Sequence, residues 1–103
     1  MSGKTILYVG GKSGSIDHLR SIVEMKQGTF LHHDGGQAQN ISLMAGLVRR
    51  ADCVFFPVDC VSHQAMYAVK KYCALSQIPF VPLHRAGAAT FIRAIDEFVA
   101  AND

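Results

Sequence analysis

The sequence predicts an α/β domain, a four-stranded parallel sheet in the order 2-1-3-4 with helices on both faces. Three observations carry this reading. Four short apolar runs alternate strictly with four helical patterns, with no linker, repeat or low-complexity tract between them. The third run is apolar at every position, as a central strand covered on both faces must be. The chain has 103 residues, 50% of them hydrophobic and 17% charged, which suits one domain (residues 1–103) with a single core. Alternating β and α elements imply right-handed crossovers, hence parallel strands with helices packed on either side.

The first strand is Thr5-Ile6-Leu7-Tyr8-Val9, stopped by Gly10-Gly11. Ser15 is the expected cap of the first helix, whose apolar face is Ile16, Leu19, Ile22 and Val23. Gly28 is expected to end that helix, and Thr29-Phe30-Leu31-His32 forms a short second strand. Beyond Gly35-Gly36, Asn40 caps a helix with Ile41, Met44, Leu47 and Val48 on one side. The third strand runs from Cys53 to Val58. Pro57 has no amide hydrogen for a ladder, so a bulge or an early end to pairing is expected there.

Ser62 caps the third helix, with Ala65, Met66, Val69, Tyr72 and Cys73 inward. The fourth strand is Phe80-Val81-Pro82-Leu83, and Pro82 sends it to an edge of the sheet. The last helix, from about Thr90, buries Phe91, Ile95, Phe98 and Val99. Together these elements make a truncated flavodoxin- or Rossmann-like sheet.

Composition excludes several function classes. A formal net charge of +2, with no basic stripe interleaved with aromatics, does not suit nucleic-acid binding. Arg49-Arg50 and Lys70-Lys71 read as solvated helix faces. No apolar segment approaches the roughly 18 residues of a membrane-spanning helix. Met1-Ser2-Gly3-Lys4 leads straight into a strand, without a signal-peptide pattern. Three cysteines at irregular spacing suit reduced thiols and a cytoplasmic setting. So small a sheet, with exposed edges, is expected to form a homodimer.

In the 2-1-3-4 order the chain reverses direction between the first and third strands, and ligands bind in the crevice at that switch point. The flanking loops are Gly10 to Ser15 and Asp59 to His63. The loops His32 to Asn40 and His84 to Gly87 lie to either side. Four of the five histidines, all but His18, fall on this rim. The spacing Cys60-x-x-His63 closes a small chelate, and thiolate with imidazole suits zinc, iron or copper over magnesium or calcium. The plain alternative makes Cys60 a filler and His63 a surface residue.

His32 and His33 end the second strand and point to opposite faces. At most one faces the crevice from within the strand, and His32 is favoured. His33 is expected to be hydrogen-bonded or partly exposed unless the backbone turns there, and is kept as a further ligand. Asp34 either orients a ligating histidine or serves an Asp-Gly turn. Gly10-Gly11-Lys12-Ser13-Gly14-Ser15 offers backbone donors to an anion, although it fits neither familiar phosphate fingerprint. Arg85 is a cation for the same purpose. Cys53 and Cys73 are structural. No nucleophile-elbow triad and no paired-cysteine redox motif is present, so no enzyme class is assigned.

Val9-Gly10-Gly11, His32 with Gly35-Gly36, and Asp59 to His63 together resemble the bacterial family known as domain of unknown function 2325. The resemblance covers nearly the whole chain and implies a compact α/β domain with no agreed activity. The family's middle loop is closer to Asp-x-Val-Asn-His. Its corresponding positions here are Asp59, Val61, Ser62 and His63, and Cys60 belongs to a variant.

Two functions are therefore expected. The leading one is a small metal-binding protein holding iron or zinc through His32, His33, Cys60 and His63, with redox or dioxygen-linked chemistry. The alternative is a metal-free module that binds a nucleotide-like or other anionic ligand through Gly10, Gly11, Ser13 and Arg85. A receiver-like partner module is disfavoured, because Gly10-Gly11 stands where its acidic cluster belongs.

Overall fold

The structure is a computed structural model that describes residues 3–36, 39–85 and 87–102, the Ser13 side chain excepted. Strands β1 (Thr5–Val9), β2 (Thr29–His33), β3 (Cys53–Pro57) and β4 (Phe80–Leu83) form one sheet in the order β2-β1-β3-β4. All three pairings are parallel. Helices α1 (Ile16–Met25), α2 (Met44–Arg50), α3 (His63–Ser76) and α4 (Ala88–Asn102) fill the crossovers. The expected fold class, strand order and edge position of β4 are all observed.

Each face of the sheet has its own core. Tyr8, Phe30, Phe55 and Phe91 are buried on one face with Leu19, Val23 and Ile95, beneath α1 and α4. Phe91 is the hub, with its ring edge-on to Tyr8 at 5.2 Å and to Phe55 at 5.6 Å between centroids. The other face is aliphatic, with Leu7, Val9, Val54, Met44, Val48 and Val69 beneath α2 and α3. Alternation along β1 and β3 feeds both cores, which is why these strands lack exposed positions in their centres.

Pro57 is accommodated by an early end to pairing. The β1–β3 register stops at Tyr8↔Phe55, and Pro57 lies opposite only Leu83 of β4. The strand consequently ends one residue sooner than expected, and Val58–Cys60 forms a single 3-10 turn. The Ser62 hydroxyl caps α3, accepting from Ala65 N–H at 3.1 Å. Asn40 accepts from Ser42 N–H at 2.9 Å, above a 3-10 turn (Ile41–Leu43) that leads into α2.

Two expected helix signals are corrected. Ser15 sits in helical backbone geometry and its side chain makes no capping bond. The left-handed residue after α1 is Gln27 (φ 65°) rather than Gly28, whose N–H instead donates to Val23 O at 3.0 Å. The last helix starts at Ala88, two residues before Thr90. No helix among the described residues is long and apolar enough to cross a membrane.

Candidate functional site

Three loops converge at the carboxyl ends of β1, β2 and β3, and glycine permits the approach. A Cβ on Gly10 (φ +85°) would stand 2.7 Å from the Cys60 carbonyl oxygen and 3.1 Å from Val61 Cβ. The Gly10 N–H donates to His33 O and the Gly11 N–H to Cys60 O, each at 2.8 Å. These two amides tie the β1 loop to its neighbours on both sides. The loop after β2 then lies close over Gly10, with the Gly35 Cβ position 3.6 Å from Gly10 Cα and from Ala65 Cβ. The Ser62 hydroxyl donates to Gly35 O at 3.4 Å, closing the ring of loops.

A cleft of about 470 Å³ opens between them. Gly11 and Lys12 line it from the first loop, Asp34 and Gly35 from the second, and Cys60, Val61 and Ser62 from the third. Its size falls within the roughly 300–1,000 Å³ of small-molecule sites, and it occupies the topological switch point. A groove of comparable size on α4, along Ala89, Ile92 and Asp96, draws on that one helix and gathers no loops.

The two adjacent histidines have separate fates. Register places His32 beside Tyr8 and His33 beside Val9, hence on opposite faces as expected. His32 Nε2–H donates to Gly10 O at 3.0 Å. The His33 side chain is 0% exposed. Its Nε2–H donates to Asn40 O at 2.9 Å, while Nδ1 accepts from Gly35 N–H at 3.0 Å. Only the Nε2–H tautomer satisfies both contacts. His33 therefore staples the two ends of its loop and has no lone pair left for a ligand.

Asp34 supports the same loop. Its carboxylate accepts from Gly36 N–H at 3.0 Å and from Gln39 N–H at 3.1 Å. The Gln39 side-chain oxygen accepts from Asp34 N–H at 2.9 Å in return. Asp34 thus fills the turn role that its position before two glycines offered, and it also walls the cleft.

Among the described residues, no group of three or more His, Cys, Asp and Glu side chains is gathered to hold a metal ion. The four expected ligands do not form a ready-made set. Cys60 reaches the cleft wall, the nitrogens of His33 are occupied, and His63 is exposed at the start of α3. Of the expected anion contacts, Gly11 lines the cleft, and Gly10 sits behind it as a joint. The amide hydrogens of both glycines are engaged within the protein rather than held out to a ligand. Arg85 is exposed on the loop after β4 and is absent from the cleft wall, and the Ser13 side chain lies outside the described residues. Lys12 belongs to the Gly10–Ser15 loop read as an anion contact, whereas Gly35, Val61 and Ser62 are not singled out as ligand contacts. Their signal was proximity in sequence to the loops at the switch point.

Beneath Gly11 lies Tyr8, 0% exposed, its hydroxyl without a hydrogen-bond partner among the described residues. Burial pushes its phenol up to about 12, and the neighbouring Cys60 and Asp59 add to the shift. The Cys53 and Cys73 thiols are buried and likewise raised, chiefly by desolvation, to about 12 and about 11. They are inert core groups, as expected.

Residues 5–98 match the model of a family described as "Uncharacterized protein conserved in bacteria (DUF2325)". No curated protein and no solved structure matches.

Proposed function

The chain belongs to this family, and on that premise we propose that it is a small-ligand-binding module. It takes a nucleotide-like or other small anionic ligand into the switch-point cleft. The observation that carries this reading is the cleft itself. Three loops meet there, and its wall sets one cation, Lys12, beside Asp34, Cys60 and Ser62, while the Gly11 and Gly35 amides are engaged within the protein. The positive end of α3, a helix of 14 residues, begins immediately behind Ser62 and favours negative charge. The ligand is small and polar, because the wall is more polar than a hydrophobic pocket and carries no large aromatic side chain.

A thermal-shift panel tests the proposal against its metal-binding competitor. Inorganic phosphate and AMP form one arm, and ferrous and zinc ions the other. A ligand at about 100 times its Kd adds roughly 2.7 kcal/mol, on the order of 10 °C in Tm for a domain of this size. Stabilisation by the phosphate arm and none by the metals supports the anion reading. Stabilisation by metal alone, lost on Cys60→Ser, transfers the assignment to a metal centre recruited by ligand movement. No shift in either arm rejects the anion reading.

A further inference from the structure

Among the described residues, the Tyr8 hydroxyl is the buried side-chain polar atom without a hydrogen-bond partner. Its ring is fixed among aromatics, edge-on to Phe91 at 5.2 Å and stacked with Phe30 at 6.3 Å between centroids. It belongs to the central strand β1, two positions from Gly10. The hydroxyl lies 3.6 Å from where a Gly11 Cβ would be, and the ring Cε1 only 2.8 Å from it. Gly11 lines the cleft and its N–H is bonded to Cys60 O. Gly11 therefore lies against the phenol and also lines the cleft, whose wall does not include Tyr8 itself. His33, also buried and polar, has both nitrogens satisfied. A buried donor left without an acceptor is costly, and it calls for a partner that a water, an ion or a ligand can supply.

We infer that the Tyr8 hydroxyl is a binding donor of the cleft, completed by an anionic oxygen of the bound ligand when the Gly10–Lys12 turn shifts to admit it. This inference rests on the anion reading above and assigns it a further contact residue and a chemistry. The ligand presents a phosphate or carboxylate oxygen to a neutral phenol and a second oxygen to Lys12. Gly11 serves the exchange because any side chain there would press on the Tyr8 ring. The phenol is a neutral donor at physiological pH, since its titration lies near 12.

The test compares wild type, Tyr8→Phe and Lys12→Ala by calorimetric titration with inorganic phosphate and with AMP. The two titrants separate a bare phosphate contact from one that needs a nucleoside. Tyr8→Phe keeps the ring and removes only the hydroxyl, and circular dichroism with a urea midpoint confirms that it folds. A hydrogen bond to a charged group predicts an affinity loss of about 10-fold to 100-fold in Tyr8→Phe. The Raman tyrosine doublet of wild type should also shift on ligand addition, and that shift should vanish in Tyr8→Phe. Wild type that binds, with Tyr8→Phe binding equally and the doublet unmoved, overturns the inference and leaves the cleft assignment standing. Wild type that binds neither titrant overturns the cleft assignment and this inference together.

Discussion

Among the described residues, the two faces of the sheet each bury one polar side chain near the carboxyl rim, and they treat it in opposite ways. On the aliphatic face, His33 spends both ring nitrogens on the backbone of its own loop. On the aromatic face, Tyr8 is equally buried and its hydroxyl has no hydrogen-bond partner among the described residues. The contrast separates scaffold from function. A satisfied buried group fixes a loop that walls the cleft, whereas the unsatisfied one beside that cleft is the donor we propose for a ligand.

The largest effect is expected where the two faces share a joint. Gly10 donates to His33 O, accepts from the His32 ring and packs against the Cys60 carbonyl. Gly10→Ala imposes a side chain at φ +85° and a 2.7 Å contact with that backbone oxygen. The expected destabilisation is about 3–5 kcal/mol by urea denaturation, and a neutral result would break the picture of loops in close contact.

His33→Ala comes next. It leaves the Gly35 N–H without its acceptor and opens a hole at the end of β2, for a loss of about 2–4 kcal/mol. Amide exchange should accelerate at Gly35 before it does in β1. Unchanged protection at Gly35 would show that His33 is not the staple.

Alkaline pH probes the other face. The Tyr8 phenol is raised from 10.0 to about 12, so the folded protein holds its proton after the unfolded chain has lost it. The associated stability is complete below pH 10 and is lost as pH rises through about 12, amounting to roughly 2–3 kcal/mol. Cys53 and Cys73 decline in the same direction from pH 9 upward. The difference in urea midpoint between wild type and Tyr8→Phe isolates the phenol, and parallel pH curves for the two would contradict its buried, unpaired state.

The smallest effect is the most telling. At neutral pH without ligand, Tyr8→Phe should match wild type or exceed it by up to about 1 kcal/mol, because it removes a buried hydroxyl that has no partner. A clear destabilisation would mean that the hydroxyl is structurally engaged.

The fold was legible in the sequence because each strand carries its own signal. Cys53-Val54-Phe55-Phe56 is apolar on both faces and Pro82 marks an edge, which together order the sheet. The Ser62 cap was also legible, since its hydroxyl acts locally on Ala65. Gln27 in place of Gly28 was not legible, because which residue turns left-handed depends on how the α1 terminus meets β2.

The site was half legible for the same reason. Strand order points to the rim, and Cys60 and Gly11 do stand in the cleft wall. Strand alternation made a hydrogen-bonded role for His33 legible, but not Gly35 and Asn40 as its partners, because side-chain partners follow from how a loop folds back. Tyr8 gave no signal at all: a tyrosine in an apolar strand reads as core until its hydroxyl is seen to lack a partner.

The most direct measurement is amide chemical-shift mapping on isotope-labelled protein titrated with AMP. The account predicts saturable shifts concentrated at Gly11, Lys12, Asp34, Gly35 and Cys60 to Ser62, with the outer faces of α3 and α4 unmoved. Saturable shifts that instead cluster along α4, or no shifts at millimolar AMP and phosphate, would contradict it.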